Sequence, residues 1–326
     1  MQAKQDKKIK RVGVLRGGSG KHYASSLKKG GEIISHIFEK LGHIYKPVDI
    51  FIDKNHIWHC GGVPINPSDL INKIDVAWNV AHPSLSNILD SLYIPHISTP
   101  AFSSTLENSK ELLREHMKEI GLQMPRSIII PAYQKDFDGP RERYAIKKAK
   151  EIFEKFSSPW IVKSFTDDST MGPVRGREGS QRPFASNGMA IHLAKTFPEL
   201  VNAIEDGAKH DKSILVEEFI AGKVASVHTM PKYRGEDIYT FPLGSSFGNF
   251  SSEEKEILTQ VAKNLHKHIG AKHYLKSDFV LNSHGRVYLL QIESMPDLKT
   301  DSHFSQVCES VGAQMHHVIE HMLEQA

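Results

Sequence analysis

Three oxygen-bearing side chains near the C-terminal end of the chain could bind a hard metal ion. Asp278 lies in one β-rich run, and Gln291 and Glu293 lie in the next, with a polar turn at 282–285 between the runs. Side chains alternate along a strand, so Gln291 and Glu293 share a face, and antiparallel pairing can bring Asp278 beside them. Mg²⁺ prefers such oxygen ligands. The pattern therefore predicts either a hairpin that holds Mg²⁺ on nucleotide phosphates or three solvent-facing polar positions on an edge hairpin.

Two lysines stand where an ammonium group would need an anion. Lys110 lies in the first turns of a predicted helix at about 104–120, and Lys163 ends an apolar strand at 160–163. An ammonium group at the end of a buried strand requires a counter-charge, which a phosphate group can supply. The alternative is that both lysines are ordinary solvated surface residues.

Two further segments could complete a nucleotide site. The loop 166–172 carries hydroxyl groups, including that of Ser169, and could fold over a phosphate. The run 214–222 could join two lobes and hydrogen-bond an adenine through its backbone; its central residues are Glu217, Glu218, Phe219 and Ile220. A plain strand followed by a turn explains the same run at least as well.

The elements that must position these residues alternate along the chain. The first hundred residues show strand-like runs and helical patterns in turn, with a glycine turn at 17–20 and a short helix near 68–73. This alternation predicts a Rossmann-like unit with a parallel sheet and right-handed crossovers. The remainder predicts a small α+β unit followed by a C-terminal unit that contains the hairpin. We expect domain boundaries at 1–100 and 101–326, the latter divided into a lid lobe at about 126–218 and a catalytic lobe at 219–326.

Composition excludes several classes of protein. With 39% hydrophobic and 24% charged residues, the chain matches soluble globular proteins and neither disordered nor fibrous ones. Its 41 basic and 38 acidic residues are too balanced to indicate a nucleic-acid partner by charge. No apolar run reaches the roughly 18 residues of a membrane helix, and the N-terminus is polar. We therefore expect a cytoplasmic protein.

Cysteine and histidine are expected to be structural. Cys60 and Cys308 are too few for a disulfide framework and are best interpreted as small buried apolar residues in a reducing compartment. The 19 histidines are scattered along the sequence without the close pairing of a zinc site. Most of them should be surface or structural residues.

Taken in order, these segments resemble the D-alanine:D-alanine ligase family of ATP-grasp enzymes over nearly the whole chain. The opening strand with its glycine turn, the two lysines, the serine loop and the hinge run each look like a family motif, as do Asp278-Phe279 and the segment 291–296. The resemblance implies an α/β protein with a Rossmann-like N-terminal domain followed by a two-lobed ATP-grasp domain. It also implies ATP and Mg²⁺, with Mn²⁺ as an alternative metal, and small-molecule amino-acid substrates; a homodimer is compatible with it.

The implied chemistry assigns a role to each matching residue. ATP would activate one amino acid as an acyl phosphate, which the amine of a second would attack, giving D-alanyl-D-alanine for peptidoglycan precursors. The implied roles are phosphate binding by Lys110 and Lys163, adenine binding by Glu217 to Ile220, metal binding by Asp278, Gln291 and Glu293, stabilisation of transition-state charge by Lys276, and substrate positioning by Ser169, His82, Ser302 and His303.

The departures from the family pattern concern the same site. His22 stands by register where the family has the glutamate that holds the first substrate's amino group, and Lys276 stands for an arginine. The metal motif reads Gln291-Ile292-Glu293 in place of Glu-x-Asn. We therefore keep two alternatives beside the D-alanine ligase: an ATP-grasp carboxylate-amine ligase with another substrate, and a catalytically silent nucleotide-binding paralogue.

Overall fold

The chain folds into three large β-sheets with helices packed against them. The computed structural model describes residues 9–19, 22–133, 137–165, 185–186, 189–210, 213–243 and 249–326. The strands are β1 (Lys10–Gly17), β2 (Tyr45–Ile52), β3 (Trp58–Cys60), β4 (Val63–Ile65), β5 (Val76–Asn79), β6 (His96–Ile97), β7 (Ser127–Ile130), β8 (Trp160–Ser164), β9 (Ala185–Ser186), β10 (Met189–Ala190), β11 (His192–Ala194), β12 (Ile214–Glu218), β13 (Gly222–Pro231), β14 (Ile238–Thr240), β15 (Leu275–Asn282) and β16 (Val287–Glu293). The helices are α1 (Tyr23–Lys40), α2 (Leu85–Ser91), α3 (Ala101–Asn108), α4 (Lys110–Lys118), α5 (Arg141–Lys155), α6 (Phe197–Lys209), α7 (Ser252–Ile269), α8 (His303–Ser310) and α9 (Met315–Glu324).

The first sheet has the strand order β4-β3-β2-β1-β5-β6. Strands β2, β1, β5 and β6 are parallel, whereas β3 and β4 pair antiparallel to their neighbours. The predicted parallel sheet is thus formed by β2, β1, β5 and β6, with two antiparallel strands added at one edge. The connections from β2 to β3 and from β3 to β4 are tight turns, too short for the crossover that parallel pairing requires. The short helix expected near 68–73 is a 3₁₀ turn at Pro67–Asn72.

The glycine turn after β1 is confirmed. Gly17 has a φ of +96°, which an L side chain rarely adopts, and a Cβ atom there would collide with the carbonyl oxygen of Ile52. Its N–H donates to the hydroxyl of Ser26 on α1, with 2.9 Å between the heavy atoms. The turn therefore ties the first strand to the first helix, next to His22.

The second sheet is antiparallel, with the order β11-β8-β12-β7, and is covered by α5 and α6. Trp160, Tyr144 and Leu200 are fully buried between sheet and helices. The run expected to be a hinge begins as β12, an inner strand of this sheet, and residues 219–221 connect it to β13 of the third sheet. Glu217 thus lies inside a sheet and not in a linker.

The third sheet is antiparallel, with the order β14-β13-β15-β16. Helices α4 and α7 pack against it through one apolar core that includes Leu113, Met117 and Leu258. The single helix predicted at 104–120 is in fact α3 followed by α4. Ser109 is extended (φ −130°, ψ 99°) and caps α4 by accepting from the N–H of Leu112. Lys110 is consequently the first residue of a helix.

The last helix returns to the first sheet. Ile33 and Ile37 of α1 share a buried cluster with Val318, Ile319 and Met322 of α9, so the two ends of the chain form one core. Among the helices of the described residues, none combines the length and apolar character needed to span a bilayer.

Candidate active site

Lys110 and Lys163 meet at a single carboxylate, that of Glu217. The ammonium of Lys110 lies 2.5 Å from one carboxylate oxygen and that of Lys163 lies 2.8 Å from the other. Lys163 and Glu217 lie on the neighbouring strands β8 and β12, two register positions apart, and are both buried. The anion that sequence reasoning expected to be a phosphate is therefore supplied in part by the protein. We call these three residues the lysine cluster.

The lysine cluster carries an excess positive charge. Burial alone would raise the pKa of Glu217, but the two ammonium groups lower it to about 2, so the carboxylate stays ionised. Burial lowers the pKa of Lys110, and Glu217 offsets this only in part. Two ammonium groups share one carboxylate, which leaves one positive charge for a further anion.

The neighbouring Glu218 belongs to a different, more exposed pair. It accepts two hydrogen bonds of 3.0 Å from the guanidinium of Arg126, and these bonds are the main reason that its pKa is lowered. The backbone N–H groups of Glu218 and Phe219 donate to the carbonyl oxygens of Arg126 and Pro159. These two N–H groups are therefore already engaged within the protein.

Asp278, Gln291 and Glu293 converge as the alternation of the two strands predicts. The Gln291 amide nitrogen lies 2.8 Å from Asp278 Oδ2 and 3.4 Å from Glu293 Oε1. The pairing register skips Leu290: Phe279 faces Leu289, whereas Asp278 faces Gln291. Without this bulge Asp278 would face Leu290, and the three polar side chains would not share a face.

Lys276 lies between the two carboxylates. Its ammonium is 3.3 Å from Asp278 and 3.1 Å from Glu293. Burial would lower the pKa of Lys276, but the two carboxylates raise it above its usual value. We call Asp278, Gln291, Glu293 and Lys276 the carboxylate cluster. Its two carboxylates face one ammonium, so it carries an excess negative charge and is suited to a cation.

The two clusters adjoin each other at the β16 bulge. The ammonium of Lys110 donates to the carbonyl oxygen of Leu290, 3.1 Å away, and Leu290 directly precedes Gln291. A region that attracts an anion therefore lies next to one that attracts a cation. A metal ion bound to a phosphate has this distribution of charge.

A buried histidine network joins the predicted substrate residue His303 to His228, which sequence reasoning did not select. His228 lies opposite Lys276 on β13, and its ring bonds to the hydroxyl of Tyr274 (2.7 Å) and to His303 Nδ1 (2.9 Å). Burial is the main cause of the low pKa values, which lie at about 4 for His303 and well below 6.5 for His228. His303 therefore faces this region as a neutral ring. The alternation of β13 could have suggested His228, but not its partner.

Two other polar residues near the carboxylate cluster have structural contacts. Ser302 caps α8: its hydroxyl accepts from the N–H of Ser305 and donates to the carbonyl of Asp297 at 2.9 Å. Glu107 of α3, which sequence reasoning did not select, accepts from the N–H and hydroxyl of Ser294, directly after Glu293. Burial raises the pKa of Glu107 to about 7. The Ser302 hydroxyl thus shapes the loop after β16.

The remaining substrate residues lie at the first sheet. His22 is half-buried at the start of α1, and His82 is exposed, with its Nδ1 accepting from the N–H of Ser84 at 3.2 Å. Near α1, a cleft is lined by Glu32, Trp78 and Met295, and Met295 follows the carboxylate cluster in sequence. Ser169 lies outside the described residues.

Comparison with known proteins shows that this chain is similar to ligases. A model of the D-ala D-ala ligase C-terminus matches residues 243–324. A D-alanine-D-alanine ligase from Fervidobacterium nodosum is 21% identical over 97% of this chain and 98% of its own length. Two solved structures superpose on nearly the whole chain: the VanG D-Ala:D-Ser ligase from Enterococcus faecalis (TM-score 0.68, 15% identity, 98% of this chain and 99% of that one) and the D-alanine-D-alanine ligase from Bacillus anthracis complexed with ATP (TM-score 0.66, 17% identity, 97% and 96%).

These likenesses confirm the predicted fold class. The first sheet corresponds to the Rossmann-like part, and the second and third sheets correspond to the two lobes of an ATP-grasp domain. The order of the three sheets along the chain is the one that the sequence led us to expect.

Proposed function

We propose that this chain, a divergent relative of the D-alanine-D-alanine ligases, is an ATP-dependent ligase that joins two D-amino acids through an acyl phosphate. D-alanyl-D-alanine for peptidoglycan precursors is the product that we assign to it. The relatives bearing that activity match along nearly the full length of the chain. We assign the protein to the cytoplasm, where ATP is available. A homodimer stays a prediction, which size-exclusion chromatography can test.

The observation that carries this proposal is the adjacency of the two clusters. Each is a buried or half-buried group of charges with an excess of one sign, and they meet where Lys110 contacts the Leu290 carbonyl. Buried unpaired charge is costly, so an excess of each sign in neighbouring positions is best explained by a ligand with both signs. A nucleotide whose phosphates carry a divalent metal ion is such a ligand.

The side chains of the carboxylate cluster suit Mg²⁺ or Mn²⁺ if the Gln291 amide rotates. Asp278 and Glu293 would supply carboxylate oxygens, and a half-turn of the Gln291 amide would present its oxygen in place of its nitrogen. The bound metal ion would neutralise phosphate charge during transfer. Lys276 would remain beside the reacting carboxyl group, where its ammonium stabilises the negative charge that develops.

We assign the amino-acid substrates to the region between the first and third sheets. His303 and the loop capped by Ser302 border it on one side, and His82 with the cleft at Glu32 on the other. His22 offers no fixed negative charge for a substrate ammonium. Glu32 is half-buried there, and burial together with Asp297 raises its pKa. We therefore assign Glu32 as the acid that would bind the substrate ammonium in place of His22.

A substrate screen tests the proposed function. ATP consumption is measured with D-alanine, D-serine, D-lactate and L-amino acids in the presence of Mg²⁺, and products are identified by mass spectrometry. We expect phosphate release that depends on D-alanine and yields the dipeptide. Phosphate release with another acceptor and not with D-alanine would support the alternative of a changed substrate. The presence of His22 in place of a glutamate favours that alternative. ATP binding without release would support the silent paralogue.

The anchor of the first substrate can be located with two variants. We expect His22→Glu to lower the D-alanine KM about tenfold, because a carboxylate can pair with the ammonium, while ATP affinity stays unchanged. Glu32→Gln should raise the D-alanine KM if Glu32 holds the ammonium in the natural protein. If the D-alanine KM were the same in both variants as in the natural protein, neither residue would belong to the substrate site.

A further inference from the structure

A second group of ligating side chains lies away from the proposed active site, between helices α4 and α7. His116 is in the last turn of α4, Glu119 directly follows that helix, and His268 is in the last turn of α7. One potential ligand atom from each residue lies within 4.8 Å of the other two. His116 and His268, which are far apart in the sequence, are thus brought together by the fold.

The helix packing explains why these residues meet. Leu113 and Met117 of α4 and Leu265 and Ile269 of α7 point into the same apolar core. His116 and His268 are next to core positions, so they occupy the flanks of the two helices where these face each other. Their rings stack with 4.3 Å between centroids, and Phe102 contacts His116 edge-on.

The distances are close to those of a tetrahedral metal site. Glu119 Oε2 lies 3.6 Å from His116 Nδ1 and 3.8 Å from His268 Nε2. Ligands held about 2.0 Å from a tetrahedral ion are about 3.3 Å apart, so the two separations from Glu119 must close by about 0.3 and 0.5 Å. The Glu119 side chain is 64% exposed and can rotate to achieve this.

The same distances are too long for hydrogen bonds. His268 Nε2 is buried and has no hydrogen-bond partner among the residues that the structure describes. A buried polar nitrogen without a partner is unfavourable. A cation bound by both rings and by Glu119 removes this difficulty.

We propose that His116, Glu119 and His268 bind a divalent transition metal ion, with Zn²⁺ as the ion that fits best. Two imidazole nitrogens and one carboxylate oxygen suit Zn²⁺ and not Mg²⁺, which prefers oxygen ligands throughout. The exposed side of Glu119 leaves a fourth position for water. The ion fastens the end of α4 to α7 and so steadies the helix that begins with Lys110.

Calorimetry on the chelator-treated full chain tests this site. We expect one Zn²⁺ per chain, with affinity at least 100-fold weaker in the double variant His116→Gln/His268→Gln and about tenfold weaker in Glu119→Gln. The matched control is His316→Gln/His317→Gln. It removes two histidines that are adjacent in the sequence of α9, with 4.2 Å between their ring centroids. That control should bind Zn²⁺ as the natural protein does.

Two measurements keep the test decisive if a variant folds poorly. Co²⁺ added to the natural protein should give the intense visible absorption of a tetrahedral site, and excess Mg²⁺ should leave that signal unchanged. Equal losses of Zn²⁺ affinity in both double variants, a spectrum like that of aqueous Co²⁺, or displacement by Mg²⁺ would each overturn the proposal.

Discussion

The lysine cluster and the carboxylate cluster are built on the same plan with opposite charge. In the first, Lys110 and Lys163 share the carboxylate of Glu217; in the second, Asp278 and Glu293 share the ammonium of Lys276. In each, the central group is held by two partners of opposite sign. The comparison teaches that the central residue balances the charge of one partner, whereas the second, unbalanced partner supplies the excess charge that attracts a ligand.

The clusters differ in how the chain brings them together. Lys163 and Glu217 lie on two neighbouring regular strands, and Lys110 reaches them from a helix that packs on another sheet. The carboxylate cluster comes from a single hairpin, but it requires the bulge at Leu290. The lysine cluster therefore depends on how two sheets are arranged, and the carboxylate cluster depends on a local irregularity in one.

Loss of the shared carboxylate should have the largest effect. Glu217→Gln leaves two ammonium groups without their anion and should lower the free energy of unfolding by about 3 to 5 kcal/mol in urea denaturation. Glu218→Gln is the matched control. Because Glu218 is more exposed, this variant should lower the free energy of unfolding by less than about 1 kcal/mol. Similar losses in the two variants would contradict the central position of Glu217 in the lysine cluster.

The same carboxylate predicts how stability depends on pH. The folded-state pKa of Glu217 is about 2, below the ordinary value of 4.5. Because the pKa is depressed, the stabilisation is fully present above about pH 4.5 and is lost as the pH falls towards 2. Urea denaturation of the natural protein and Glu217→Gln should thus differ most above pH 4.5 and converge at lower pH.

Removal of an outer lysine should weaken nucleotide binding more than folding. Lys163→Ala leaves Glu217 paired with Lys110 and cancels the excess positive charge, so the Kd for ATP should rise roughly 10- to 100-fold in calorimetry. Lys223→Ala serves as the control, because Lys223 is exposed and pairs with Glu254. Unchanged ATP affinity in Lys163→Ala would remove the lysine cluster from the nucleotide site.

Removal of the central ammonium should expose the carboxylate cluster to metal. Lys276→Met increases the excess negative charge, so Mg²⁺ measured without nucleotide should bind roughly tenfold more tightly. Turnover should fall in the same variant, because the charge beside the reacting carboxyl group is lost. Mg²⁺ affinity that does not change would mean that the metal ion binds elsewhere.

An added carboxylate at the edge of that cluster should have the smallest effect. Gln291→Glu places a third anion beside Asp278 and Glu293, and should lower the Mg²⁺ concentration for half-maximal activity about threefold. Gln260→Glu, at an exposed position on α7, is the control for a general change in charge. A higher Mg²⁺ requirement would show that Gln291 does not contact the metal ion.

Several parts of the site were predictable because they depend on local rules. The hairpin turn at 282–285 contains a glycine at φ +74°, and strand alternation placed Gln291 and Glu293 on one face. The glycine turn after β1 follows from the same kind of reasoning. The prediction of one continuous helix at 104–120 was wrong for a local reason as well. The residues on both sides of Ser109 have helical periodicity, so the sequence pattern does not show the break there.

The sequence by itself determined which residue types were present for phosphate and metal binding and which strands would carry them, because side-chain chemistry and strand alternation act over a few residues. Only the tertiary structure decided that Glu217 would be the anion for Lys110, 107 residues away, and that His116 would meet His268. It also decided the bulge at Leu290, on which the face shared by Asp278 and Gln291 depends. The two long-range pairings arise from the packing of distant segments, for which neither spacing nor composition carries a signal, whereas the bulge is a local irregularity of the hairpin that strand alternation does not reveal.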